Sequence, residues 1–128
     1  MDRRAGYDGK GGTALQWEFH QAHAAKIIPP FRSYNAGGQR DLQYVIYYAA
    51  TELYFEEACD LWVAICSDDY SKVWINEQLI WASGKNPKPW RVDEGLRKVH
   101  FEKGVNRVLY RVENGHGPTE FSFVIGKP

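Results

Sequence analysis

Residues 67–81, SDDYSKVWINEQLIW, carry the pattern from which the fold is inferred. After an acid pair, an alternating segment places Val73 and Ile75 on one side of an extended strand and polar positions on the other. A polar turn at residues 76–78 separates this strand from a second apolar segment that ends at Trp81. We therefore predict a β-hairpin. Because its tip lacks the usual glycine, we expect a turn longer than two residues.

Similar patterns continue on both sides of this hairpin. Upstream, residues 61–66 (LWVAIC) form a near-continuous apolar run, typical of a strand covered on both faces, and Trp62 is assigned to the core. Downstream, apolar residues alternate from 121 to 125. Further strands are predicted at 43–48, 52–55, 98–101 and 107–113. Short strands separated by turn signals every 8 to 12 residues or so predict an all-β fold, an antiparallel β-sandwich of the jelly-roll type.

The chain length of 128 residues suits one domain whose core needs no metal or disulfide. We predict a flexible leader at 1–12, which is rich in glycine and charge, and a single sandwich domain at 13–128. Residues 15–26 fit either an amphipathic helix or a strand at 15–20 followed by irregular chain. The leader has no apolar run of signal-peptide length, so either the protein is made without a signal peptide or this is a segment of a longer chain.

Charge and hydropathy argue against two classes of partner. Sixteen basic and sixteen acidic side chains give a formal net charge of zero, and no basic stripe suggests nucleic-acid binding. No apolar stretch is long enough to span a membrane. Cys59 and Cys66 are predicted to lie on opposite faces of one strand, roughly 23 Å apart, which is too far for a disulfide. We expect two free thiols, at least one of them buried.

Residues 43–125 resemble the galactose-binding-like β-sandwich domains that are appended to glycoside hydrolases, particularly the version shared with protective-antigen-type lectin domains. The resemblance rests on three segments: residues 67–81, KGVNRVLYRVENG at 103–115 and EFSFVI at 120–125. The first segment departs from the family pattern at Tyr70 and Glu77, where the family has a small residue and a glycine. The resemblance implies a non-catalytic carbohydrate-binding module. It also implies an extracellular or secreted location and a catalytic domain of the parent protein as a neighbour.

Asp68 and Asp69 match the paired aspartates that help hold Ca²⁺ in calcium-dependent members of that family, so the resemblance implies calcium as a cofactor. Adjacent carboxylates repel each other by up to about 1 kcal/mol at ~4 Å in water. A cation, backbone N–H groups or a polyhydroxylated ligand can offset this repulsion. The alternative is that both aspartates only accept hydrogen bonds from turn amides.

Aromatic residues make up 15% of the chain, and a surplus of Trp and Tyr suits surfaces that stack on sugar rings. We predict Trp74, Trp81 and Trp90 as stacking residues. The alternative for Trp81 and Trp90 is that they pack together and close one end of the sandwich. The predicted hydrogen-bonding residues for sugar hydroxyls are Asn76, Arg111 and Asn114.

The sequence has no nucleophile or phosphate-loop motif, and a sandwich with short loops leaves little room for a two-carboxylate cleft. We therefore do not expect an enzyme. The second functional hypothesis is a structural domain without a ligand, which uses the same aromatic surface to dock against a neighbouring domain.

Overall fold

The computed structural model describes residues 2–9, 12, 14–22, 24–27, 44–84, 86–91 and 94–127. Ten β-strands and no α-helix occur in these ranges. The strands are β1 (Tyr7–Asp8), β2 (Ala14–Leu15), β3 (Lys26–Ile27), β4 (Val45–Phe55), β5 (Cys59–Asp68), β6 (Tyr70–Ile75), β7 (Gln78–Ala82), β8 (Gly95–Phe101), β9 (Gly104–Asn114) and β10 (Glu120–Gly126).

Two four-stranded antiparallel sheets form a sandwich. The first has the order β3-β10-β5-β8 and is called the β5 sheet here; the second has the order β4-β9-β6-β7 and is called the β9 sheet. When β3 to β10 are counted as strands one to eight, the sheet orders become 1-8-3-6 and 2-7-4-5, which is the arrangement of a jelly roll. The predicted all-β sandwich is confirmed.

The core lies between the inner faces of the two sheets. Phe121 of the β5 sheet packs its ring against Tyr47 and Tyr110 of the β9 sheet, with centroids 6.0 and 4.9 Å apart. Phe55 and Phe101 make a second contact between the sheets at 4.9 Å. Fully burying one such large apolar side chain stabilises the fold by about 1.5–3 kcal/mol.

The assignment of Trp62 to the core was wrong. On β5, Val63 and Ile65 point inward and are fully buried, so Trp62 faces outward and is only half-buried. The β5 run is apolar on both sides because residues 86–91 cover part of its outer face. In that segment the Arg91 amide donates a hydrogen bond to Cys66 Sγ at 2.7 Å.

Both cysteines are free thiols, as predicted, and Cys66 is fully buried. Cys59 packs against the core, whereas Cys66 lies on the outer face under residues 86–91, so the two occupy opposite sides of β5. Burial raises the pKa of Cys66 to about 11, which keeps its thiol protonated at neutral pH.

The turn of the β6–β7 hairpin is shorter than expected. Ile75 pairs with Gln78, so the loop consists of Asn76 and Glu77 alone. Both residues have positive φ, 49° and 67°, which is the geometry of a type I′ turn. The prediction of a longer turn was wrong because two non-glycine residues adopt this conformation here.

The N-terminal region adds a small two-stranded sheet, in which β1 pairs with β2. The predicted leader, residues 1–12, therefore includes one strand. Residues 16–22 are irregular, so the strand proposed for 15–20 is limited to Leu15, and the helical alternative is absent from the described part of 15–26.

The strands predicted at 43–48 and 52–55 are one strand, β4; residue 43 lies outside the described ranges. In the parts of the chain described above, no helix has the length and apolar character needed to cross a membrane.

Candidate functional site

The outer face of the β9 sheet carries a band of aromatic and charged side chains. On β6, Val73 and Ile75 point into the core, so the alternate positions point outward: Tyr70, Lys72 and Trp74. This confirms the predicted separation of the two faces of this strand. It also places an indole ring on the sheet surface.

Neighbouring strands complete the band. β9 lies between β4 and β6, and Arg111 of β9 pairs in register with Tyr48 of β4 and Lys72 of β6. Leu109, two residues before Arg111, pairs with Trp74. Among the residues predicted to bind a ligand, Trp74 and Arg111 are the two that the structure brings together on this face.

A concave surface of about 360 Å³ opens at Trp74, and we call it the tryptophan concavity. Trp17, from the segment after β2, lines it together with Trp74. Three charged residues also line this concavity, with Glu52 between two arginines. Glu52 Oε1 accepts a hydrogen bond from Arg3 Nη2 at 2.7 Å and lies 3.7 Å from Arg107 Nε. Two indole rings beside paired charged side chains offer both apolar and polar contacts to a small ligand.

A second concave surface, of about 440 Å³, lies further along the same face, and we call it the basic concavity. It is lined by Tyr70, Lys72, Ser83, Gly84, Arg111 and Glu113. Arg111 Nη2 donates a hydrogen bond to Glu113 Oε2 at 3.2 Å. Lys72 and Trp74 are two residues apart on β6, roughly 7 Å, so the two concavities adjoin.

The acid pair lies where the chain passes from β5 in one sheet to β6 in the other. Asp69 is buried, and its Oδ2 accepts a hydrogen bond from the Gly115 amide at 2.9 Å. The Asp69 amide donates to the Glu113 carbonyl at 3.3 Å. The structural role that the sequence left open for the pair, as an acceptor for loop amides, is therefore confirmed for Asp69.

Asp68 has a different environment. Burial raises the pKa of its carboxyl to about 6, and a hydrogen bond to Asp69 and the charges of Asp69 and Glu120 add to the increase, while Lys88 opposes it. Thr119 Oγ1 donates to the Asp68 carbonyl at 2.9 Å, which anchors the backbone at this point. Asp68 is therefore charged at neutral pH but takes up a proton in mild acid.

The acid pair supplies only part of a calcium shell. Calcium takes six to eight oxygen ligands at about 2.3–2.6 Å, and one Asp69 oxygen is already occupied by the Gly115 N–H group. No group of three or more His, Cys, Asp or Glu side chains is arranged to hold a metal ion in the described ranges. The Asp68 carboxylate and the other oxygen of Asp69 are the ligands that would contribute.

The prediction of Trp81 as a ligand-stacking residue was wrong, because this residue belongs to the core. Its Nε1 donates to Ser71 Oγ at 3.2 Å, and the Arg97 guanidinium stacks 4.8 Å from its ring centroid. Its ring also packs on Gly95, where an added Cβ would lie only 2.6 Å away. A ring enclosed in this way is not available to stack on a ligand.

Trp90 lies on the outer face of the β5 sheet, on the opposite side of the sandwich from Trp74. Its Nε1 donates to Ser122 Oγ at 3.0 Å, and Lys26 Nζ lies 5.4 Å from its ring centroid. Trp74 and Trp90 therefore cannot contact the same ligand. Trp81 and Trp90 do not pack together either, because they lie on opposite sides of the β5 sheet.

The two predicted asparagines serve the fold. Asn76 Oδ1 accepts from the Arg107 amide at 2.9 Å, and its Nδ2 donates to Asn106 Oδ1 at 2.8 Å, so its side chain ties the hairpin turn to β9. Asn114 is buried, and its Nδ2 donates to the Gly117 carbonyl at 3.1 Å. Asn114, which was predicted to bind sugar hydroxyls, is the last residue of β9 and points inward, away from the sheet surface.

Four residues that line this face were not predicted from the sequence: Trp17, Tyr48, Tyr70 and Lys72. Tyr70 and Lys72 are separated from Trp74 by four and two residues on β6, so the alternation of the strand already places their side chains on the same face. Tyr48 lies on the same face of β4 as Glu52, because the two are four residues apart. Its position next to Arg111, however, depends on the pairing of β4 with β9. Trp17 follows β2 in irregular chain, where no pattern predicts a position.

In comparisons with known proteins, no family model, curated protein or solved structure matches this chain.

Proposed function

We propose that this protein is a non-catalytic carbohydrate-binding module that binds a polysaccharide or glycan through the outer face of its β9 sheet. The observation that carries the proposal is the tryptophan concavity, where Trp17 and Trp74 line one surface with Arg3, Glu52 and Arg107. A pyranose ring has an apolar C–H face and a polar hydroxyl rim. Rigid indole rings match the first, and charged side chains match the second.

The surface extends beyond Trp74 in a direction that suits a chain of sugars. Lys72 and Tyr70 follow on the same strand face, and from Trp74 to Tyr70 the strand rises roughly 13 Å. Tyr48 adds an aromatic ring that is 38% exposed on the same face. An extended saccharide lying along β6 would contact aromatic and charged groups in turn.

Calcium at Asp68 and Asp69 is a separate part of the proposal. The acid pair lies next to Glu113, which lines the basic concavity, because the Asp69 amide binds the Glu113 carbonyl. A cation held there would offset the charge repulsion from Asp69 and Glu120, which adds to the effect of burial in raising the Asp68 pKa. The sheet-face contacts do not depend on it.

The test is affinity electrophoresis and calorimetry of the whole chain against a panel of neutral and acidic polysaccharides, with and without EDTA. We expect retardation by at least one polymer and its loss in Trp74→Ala. The matched control is Trp62→Ala, the same substitution on the outer face of the other sheet, which should leave binding unchanged. Circular dichroism verifies that both variants are folded. Binding that persists in Trp74→Ala would contradict the proposal, and a loss of binding in EDTA would support the calcium site.

A docking domain without a sugar ligand is the second candidate, and one observation favours it. Ile46, Tyr54, Leu79 and Val105 are each half or more exposed, and their strand positions put them on the same outer face. Apolar exposure of this kind also suits a protein partner. Absence of binding across the whole panel would favour this candidate.

A further inference from the structure

We infer that the basic concavity binds the anionic group of an acidic saccharide, a carboxylate or a sulfate ester. This inference rests on the proposed function and narrows its ligand class. It starts from the register of β6 and β9, which places Lys72 directly opposite Arg111 on the outer face. Both cations line one concave surface of about 440 Å³.

Two like charges directly opposite each other on neighbouring strands destabilise a sheet. The charges available in the concavity do not balance this pair. Glu113 pairs with Arg111 at 3.2 Å, whereas Lys72 has no ion pair within the described ranges. The described residues that line the concavity therefore carry two positive charges and one negative charge, in a chain whose formal net charge is zero. An anionic ligand would supply the missing charge.

The hydrogen-bonding chemistry suits an oxyanion. A guanidinium presents several N–H donors in a planar fork, and among the residues that the structure describes Arg111 donates one hydrogen bond, through Nη2, to Glu113. The Arg111 side chain is 22% exposed and lines the concavity, so it is largely held by its surroundings while part of it remains accessible. A planar fork matches carboxylate and sulfate oxygens, and the Lys72 ammonium adds a point charge beside it.

The row of residues across the sheet also suits a sugar that bears the anion. Arg111 is flanked by Lys72 on one side and by Tyr48 on the other, each one strand away, roughly 4.8 Å. A pyranose lying on the exposed Tyr48 ring would place a ring substituent near the guanidinium. The aromatic ring and the two cations thus select a ring with an acidic group, and not a free anion alone.

The test compares matched ligands that differ only in charge. Oligogalacturonate is titrated against its neutral methyl ester, and dextran sulfate against dextran, using the whole chain at low ionic strength. We expect at least one acidic ligand to bind about tenfold or more tightly than its neutral partner, with the difference shrinking as salt is added. The oligogalacturonate pair tests for recognition of a carboxylate, and the dextran pair tests for recognition of a sulfate ester.

Variants on the outer face locate the effect. Arg111→Gln and Lys72→Gln should each lose most of the preference for the acidic ligand. Glu113→Gln should increase that preference, because it removes a competing carboxylate. The matched control is Lys98→Gln, which removes an exposed cation of β8 from the other sheet and should change nothing. These are exposed or half-buried strand positions, so the fold is expected to persist, and thermal melts verify this.

The outcomes separate this inference from the proposed function. If neutral glycans bind in a Trp74-dependent manner but acidic and neutral partners bind equally, the module stands and the anion site is overturned. An acidic preference that is unchanged in Arg111→Gln and Lys72→Gln would also overturn it. If no glycan of either kind binds, both proposals fail.

Discussion

The carboxyl of Asp68 makes the stability of this protein depend on pH. Its folded-state pKa of about 6 lies above the ordinary value of 3.8, mainly because of burial and also because of its contact with Asp69. The folded state therefore holds this proton more tightly than the unfolded state. The stabilisation linked to it is fully present below about pH 4 and is lost as the pH rises through about 6.

We predict that Asp68→Asn stabilises the protein at pH 8, because the amide removes a charge from a half-buried site next to Asp69 and Glu120. After allowance for solvent screening, the gain in the free energy of unfolding should be on the order of 1 kcal/mol. It should fall toward zero near pH 4, where Asp68 is already protonated. Urea unfolding curves from pH 4 to pH 8 measure this.

The control for this experiment is Glu57→Gln, which removes a carboxylate with an 85% exposed side chain that pairs with Lys103 at 3.4 Å. Exposed pairs of this kind contribute little, so this variant should shift stability by less than about 1 kcal/mol at every pH. If Asp68→Asn were less stable than the native chain at pH 8, the environment described for Asp68 would be incorrect.

The β6–β7 hairpin turn is a place where the local sequence opposes the fold. Glu77 has a φ of 67°, a conformation that costs an ordinary L-residue roughly 1–2 kcal/mol and costs glycine nothing. We predict that Glu77→Gly raises the free energy of unfolding by about 0.5–1 kcal/mol, since glycine also loses more entropy on folding. Chemical denaturation measures the change.

The neighbouring residue gives the matched control. Gln78 is the first residue of β7 and pairs with Ile75 in extended conformation. Gln78→Gly should therefore lower stability by about 0.5–1 kcal/mol. Equal effects of the two glycine substitutions, in sign and size, would show that turn geometry does not govern stability here.

The strands could be predicted from the sequence pattern. Where a strand is apolar throughout, however, the pattern does not show which of its side chains point into the core. In residues 61–66, six successive apolar side chains carry no signal for which face points inward, and Trp62 was assigned to the wrong side. The same ambiguity affected the short segment that ends at Trp81. On β6 and β9, by contrast, charged residues mark one side of each strand and buried apolar residues mark the other, and Trp74 and Arg111 lie on the charged side, as this pattern predicts.

The site as a whole could be predicted only in part, because it depends on strand order. Tyr48, Lys72 and Arg111 become neighbours only because β9 is inserted between β4 and β6, which are distant from it in sequence. No local pattern specifies such pairing. Asp68 and Asp69 were identified as a unit, but the passage from one sheet to the other gives each a different environment.

The N-terminal segment provides a test of how far the site extends beyond the sandwich. β1 and β2 pair with each other, and Arg3 joins this segment to Glu52 of the β9 sheet. Removing residues 1–17 leaves all eight sandwich strands in place. We therefore predict that the free energy of unfolding falls by no more than about 1–2 kcal/mol, the value of one exposed ion pair and a modest apolar contact.

Ligand affinity should respond differently to that truncation, because it removes Trp17 from the tryptophan concavity. An aromatic contact of about 0.5–1.5 kcal/mol corresponds to a two- to tenfold loss of affinity for a glycan that binds at Trp74. Calorimetry on the truncated chain measures this loss, and Trp17→Ala in the full chain should reproduce it. Tighter binding by the truncated chain would contradict the prediction, because it would mean that the segment covers Trp74 and competes with the ligand. A loss matched by Trp17→Ala would instead show that residues outside the sandwich form one wall of the site.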